Sequence, residues 1–310
     1  MSEIAVVAGG RAAWRDGPDT APDTGPDTRR VLQLALAGLW LLDALLQYQP
    51  MMFSKAFGQT LAATADGNPG FIARPITWDA TLIQQHAVAL NVVFATIQLL
   101  LGLGIAFRPT ARLALAASVA WSAGVWWFGE GLGGMLTGTA NPVTGAPGAA
   151  ILYALLAVLL WPARPAAARA ARALWLVLWL TLAWLALQPA NRAPRALHDT
   201  LASMGSGEPG RVAVLERDAA AVIGGHGLAA SIVLAAAFTL VAIGVYLPRP
   251  AALSTLVLAV AIAVVIWVIG EAFGMILAGG ATDPNSGPLL ALLALAYWPA
   301  RTAPGEGRRS

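Results

Sequence analysis

Five ionisable side chains sit inside otherwise apolar stretches of this sequence: Asp43, His86, Glu130, His226 and Glu271. A charge within a bilayer is costly unless it is paired or faces a cavity, so each is a candidate functional residue. Four of the five come as matched pairs. Trp126, Gly129, Glu130, Gly133, Leu136, Gly138 and Ala140 each recur 141 positions later, which aligns Glu130 with Glu271. Upstream the offset shrinks by a residue or two, matching His86 with His226 and Gln49-Pro50 with Gln188-Pro189. A helix entered near residue 111 rises 1.5 Å per residue and carries Glu130 roughly 28 Å along it, close to the far edge of the membrane core. Gln49 and His86 flank the preceding turn at that level. Gln49, His86 and Glu130 therefore form one candidate ligand-binding cluster, and Gln188, His226 and Glu271 a second.

Two chemistries fit. Neutral imidazoles on matched helices could ligate a haem axially, or each could join a glutamate at a metal. The plainer reading is that the histidines hydrogen-bond the glutamates. No HExxH spacing occurs, and one His with one carboxylate makes a poor closed metal site. The glutamates lie in the pairs Gly129/Gly133 and Gly270/Gly274, whose GxxxG spacing serves either a helix-packing seam or close approach of a ligand. Asp43 has no counterpart in the second series, so it pairs locally or faces a cavity. Cysteine is absent, which removes disulfides, thiolate zinc and cysteine-held iron–sulfur clusters. Redox chemistry would rest on haem or quinone held by His, carboxylate or packing.

The elements that must position these residues are membrane helices. Of 310 residues 58% are hydrophobic and 11% charged, and the mean hydropathy is +0.67. A soluble domain carries about 25% charged residues, so the solvent here is mostly lipid. The net charge of +3 forms no basic, aromatic-interleaved run, which excludes a nucleic-acid partner. Eight apolar segments are predicted: 31–49, 81–107, 111–136, 148–161, 173–188, 221–247, 251–277 and 288–298. A crossing needs about 20 residues. The fourth and eighth are short, and are expected to extend back into the loops carrying Pro142, Pro147, Pro284 and Pro288, or else to be partial spans buried among the others.

Arginines favour alternate connections: Arg29, Arg30, Arg108, Arg112, Arg164, Arg169, Arg172, Arg249, Arg301, Arg308 and Arg309. Positive residues mark the inside, so a multi-pass cell-membrane protein with both termini cytoplasmic is expected. The predicted fold is an all-α integral membrane protein of about eight transmembrane helices in two parallel four-helix repeats. Residues 31–164 form the first repeat and 165–301 the second, between tails 1–30 and 302–310. The first 30 residues lack a signal-peptide core and repeat Pro-Asp-Thr from Pro18, Pro22 and Pro26. Such a tract is expected to be disordered.

The run Leu99-Leu100-Leu101-Gly102-Leu103-Gly104, followed by Arg108-Pro109-Thr110-Ala111-Arg112-Leu113, resembles the connection between helices two and three of the DoxX/DoxD-type four-helix family. The resemblance implies a tandem duplication of that unit. It also implies a membrane subunit tied to quinone or sulfur redox systems, with a redox partner subunit beside it in the lipid bilayer. Where that family has an acidic residue early in helix two, this chain has His86 and His226. A small transporter or permease, using the same His/Glu clusters as substrate or proton sites, is the alternative.

Overall fold

A computed structural model describes residues 26–161 and 167–298. The expected tails, and the linker containing Arg164, lie outside the described residues apart from 26–30, which already belong to the first helix. Every regular element among the described residues is helical. The α-helices are α1 (Pro26–Leu46), α2 (Lys55–Ala63), α3 (Gly70–Ala106), α4 (Ala111–Phe128), α5 (Ala149–Leu159), α6 (Ala167–Ala186), α7 (Ala196–Met204), α8 (Gly210–Ile223), α9 (Gly227–Gly244), α10 (Arg249–Val265) and α11 (Ser286–Ala296).

Length and composition suit four helical stretches to crossing a membrane: Gly70–Ala106, Arg169–Ala186, Gly227–Gly244 and Arg249–Ala278. The chain is thus an all-helical, multi-pass membrane protein. Its outward-facing side chains agree. Leu100, Leu113, Val177 and Val233 are all more than half exposed, an apolar surface that water disfavours and lipid accepts.

The 37 residues of α3 would rise about 55 Å, well beyond a core of about 30 Å. The surplus is set off by a kink at His86, whose φ of −130° and ψ of 35° leave the helical region. Before the kink, α3 packs on α2 through Leu61, Ile72, Ile76 and Ile83, making a small helical cap. The corresponding cap of the second series is the α7–α8 pair, and His226 is the residue on which α9 begins. Both histidines thus mark the step from cap to bundle.

The fourth segment does not extend backwards as the prolines had suggested, and the eighth gains only Ser286 and Gly287, with Pro288 in its first turn. α5 and α11 are 11 residues each, about 16 Å long. Ahead of them the backbone abandons the right-handed helix. Gly131, Leu132, Gly133 and Gly134 all have positive φ, as do Ala272, Phe273, Gly274 and Met275. Four successive left-handed residues form a short turn of the disfavoured hand. Gly133 is forced: a Cβ there would overlap the Pro147 carbonyl oxygen. This also replaces the expected GxxxG seams, because α4 stops at Phe128 and the second helix loosens into a π turn over Ile266–Gly270.

α1 packs on α3, α4 on α5, α6 on α9 and α10 on α11, while α5 and α11 meet at the centre. At one end of the bundle Arg30 donates to the Ala106 and Ile105 carbonyls, and Gln33 donates to the Leu160 carbonyl at 3.0 Å. At the other end the two series exchange contacts. Gln49 Nε2 donates to the Ala281 carbonyl at 2.9 Å and Asn191 Nδ2 to the Ala140 carbonyl at 2.8 Å.

Candidate functional site

The two repeated glutamates do the same local work. Glu130 accepts a hydrogen bond from the Ala150 amide at 2.9 Å. Glu271 accepts from the Ser286 amide at 3.1 Å, the Gly287 amide at 3.0 Å and the Ser286 hydroxyl. Each carboxylate satisfies the free N–H groups and positive dipole end of a short helix, tying α5 or α11 to the helix before it. Gln49 and Gln188 each precede a proline that opens a tight 3-10 turn, Pro50–Phe53 and Pro189–Arg192. His86 and His226 are exposed at the cap junctions, and His226 Nδ1 lies 3.0 Å from the Ile223 carbonyl. The structure does not bring the histidines to the glutamates. Among the described residues no group of three His, Asp or Glu side chains is placed to hold a metal ion.

A cavity of about 450 Å³ opens instead among α1, α3, α4 and α5. Asp43 reaches it from α1, Asp79 from α3, Glu130 from the end of α4, and Asp283 from the loop between α10 and α11. Trp40, Phe94, Trp121 and Tyr153 line its walls. The rings of Trp40 and Tyr153 lie 4.3 Å apart, and those of Phe94 and Trp121 lie 5.8 Å apart.

What marks this cavity as more than a packing defect is unmet hydrogen-bonding capacity. Asp43 Oδ1, Gln47 Oε1, Gln98 Oε1, Ser122 Oγ and Glu130 Oε2 are buried without a partner, as is Trp121 Nε1, while the Tyr153 hydroxyl is turned to the Asp43 side chain. Asp43 is 1% exposed and Ser122 is 0% exposed. Buried polar atoms are normally satisfied, so this many in one cavity is a site waiting for something polar. Among the described residues no Lys, Arg or His lines it.

Carried along the sequence matches, the same positions in the second series are apolar. Asp43 corresponds to Leu182, Gln98 to Phe238, Ser122 to Ala263 and Tyr153 to Leu290, and all four replacements are fully buried. Trp179 and Phe238 stack there at 5.9 Å. The loops differ in the same sense. Asp283 corresponds to Ala146, which is buried against Leu185. The repeated residues thus build scaffold, and the polar cavity lies where the two series diverge. Of its acidic residues, only Asp43 and Glu130 stand out in the sequence. Asp79 and Asp283 sit in cap and loop segments where an acidic residue is ordinary, and only the fold turns them inward.

No protein-family model matches this chain, nor does any curated protein or solved structure. Fold and site together define a helical membrane protein with a polar, ligand-sized cavity.

Proposed function

We propose that this chain is a small-molecule carrier of the cell membrane, built as a DoxX-like four-helix unit duplicated in tandem and binding its ligand in the cavity of the first unit. In this reading each short helix, together with the loop folded back ahead of it, completes a crossing. That gives eight membrane-embedded segments in two parallel repeats with both termini cytoplasmic. The observation that carries it is the cavity of about 450 Å³ with its unpartnered polar atoms. Ligand pockets fall in the range of about 300–1,000 Å³, apolar with a few convergent polar groups. Short helices broken at the site, with irregular backbone buried in protein, are the form that transporter sites take.

A second reading is a quinone site in a redox-associated subunit. Trp121 Nε1 is an unpartnered donor in the cavity and would suit a quinone carbonyl. Haem is less well supported, since neither histidine lines the cavity.

The chain contains no cysteine, so a single Ser122→Cys variant reports on the cavity alone. In proteoliposomes, a membrane-impermeant thiol reagent should modify Cys in this variant from either side if the cavity alternates in access. Modification from one side only would leave a binding protein and remove the carrier. Protection from both sides would remove the ligand-cavity reading altogether.

A further inference from the structure

We infer that the ligand of this cavity is a small lipophilic organic cation, an aryl-alkyl ammonium, seated with its charged nitrogen between Asp43 and Asp283 and its apolar body against the aromatic wall. The inference rests on the ligand-cavity reading above and adds the ligand's chemical class.

Charge is the first argument. Four carboxyl groups, Asp43, Asp79, Glu130 and Asp283, line the cavity, and no cationic side chain does. Tyr153 is the other titratable group facing it. Buried carboxylates are strongly disfavoured without a compensating charge. A ligand bringing one positive charge relieves that cost, whereas an anion would add to it.

Hydrogen-bond polarity is the second. The unpartnered atoms of the cavity are mostly acceptors: Asp43 Oδ1, Glu130 Oε2, and the Gln47 and Gln98 Oε1 atoms. Trp121 Nε1 is the lone obligate donor among them, and the Ser122 hydroxyl can act either way. Acceptors in excess call for a donor-rich ligand, and an ammonium carries donors and no acceptor. Asp283 already accepts from the Thr282 hydroxyl and the Asn285 amide, but a quinone, with acceptors only, would bring neither aspartate a compensating charge.

The walls are the third. Trp40, Trp121 and Tyr153 line the cavity, and aromatic walls stabilise a cation, most strongly when desolvated. Each is packed against another ring, so the aromatic surface is held in place before the ligand arrives. Asymmetry completes the case. Leu182 and Ala146 replace Asp43 and Asp283 in the second series, so both charges that would seat a cation are lost together there.

The test uses three matched probes that differ only in the head group: tritiated 4-phenylbutylamine, 4-phenylbutanol and 4-phenylbutyrate, binding to the purified full chain in mild detergent. The amine should bind at one equivalent per chain and at least tenfold more tightly than the alcohol, with no binding of the acid. Asp43→Asn should weaken the amine at least tenfold, and Asp43→Glu should retain most of it, which separates loss of charge from loss of fold. Gly124 lines the cavity and has open space where its Cβ would be, so Gly124→Leu should block binding from a helical position that tolerates a side chain. Equal affinity for amine and alcohol, or an amine affinity unchanged in Asp43→Asn, overturns the cation assignment. If Gly124→Leu still blocks the bound probe, the ligand-cavity reading survives that result. Absence of amine binding to the unmodified chain overturns the inference, and the Ser122→Cys labelling then decides separately whether the cavity is a ligand site.

Discussion

Asp43 and Asp283, from opposite ends of the chain, line one cavity with no basic side chain beside them. The first lies on α1 and the second arrives on the loop ahead of α11. That loop is held to the first series by the hydrogen bond from Gln49 to the Ala281 carbonyl. The site is therefore composite, and neither series could build it alone.

A binding site that holds unpaired acids should weaken the fold that carries it. Asp43→Asn is expected to leave the melting midpoint in detergent unchanged or slightly raised, because it replaces a buried acid that no cationic side chain answers with a neutral group of the same shape. Amine binding falls in the same variant. A fall in the midpoint comparable with that of a helix-cap mutant would instead make Asp43 structural.

The two glutamates should behave in the opposite way. Removing a buried charged acceptor that caps a helix costs about 1–3 kcal/mol. Glu271→Ala strands the Gly287 amide and the Ser286 hydroxyl, the Ser286 amide keeping its Asn285 acceptor, whereas Glu130→Ala strands the Ala150 amide. The Glu271 variant should therefore be the less stable of the two, read as the midpoint of fluorescence-detected gel filtration after heating. Equal losses would mean that the extra donor contributes nothing.

Gly133 and Gly138 both have positive φ, yet they differ in surroundings. An alanine at 133 meets the Pro147 carbonyl, while one at 138 meets nothing within 4 Å. Gly138→Ala should cost about 1–2 kcal/mol for handedness alone, and Gly133→Ala should prevent accumulation of folded protein. Comparing yields of monodisperse protein tests the difference.

In the α7–α8 cap, the carboxylate oxygens of Glu208 and Glu216 are buried without partners. Burial, and then the neighbouring Glu208, push the Glu216 carboxyl up to about 7. Between the ordinary carboxylate range and that value, the folded state holds a proton that the unfolded state has released, so stability falls as pH rises through this window and levels off above it. The midpoint should be higher at pH 5 than at pH 8, with a smaller difference in Glu216→Gln. An unchanged slope in the variant would assign the pH dependence elsewhere.

His86 and His226 yield a negative prediction. Both are exposed at cap junctions, so His86→Ala and His226→Ala should leave amine affinity within about twofold of the unmodified chain, a difference worth under 1 kcal/mol. A tenfold loss in either would place the histidines in the site after all.

The membrane class and the helical character were readable from composition and apolar runs, because lipid leaves little choice of backbone. So were the pairs Glu130/Glu271 and His86/His226. Their meaning was not. Repetition marks whatever both series need, and both need a short helix capped and a cap domain joined. Asp43 could be singled out as lacking a counterpart, but nothing local to it tells that Asp283 arrives beside it from the far end of the chain. The fourth and eighth segments misled for a related reason. Proline near a helix start suits the first turn, as Pro288 shows in α11, and it equally suits the loops that carry Pro142, Pro147 and Pro284 ahead of the short helices.

The apolar filling of the second series also bears on how the protein should respond to dose. Recurring sequence ordinarily invites two equivalents of ligand and communication between them. With Leu182, Phe238 and Leu290 occupying the counterpart positions, saturation should follow a simple hyperbola with a Hill coefficient of about 1, and any sigmoidal response would have to arise between separate chains.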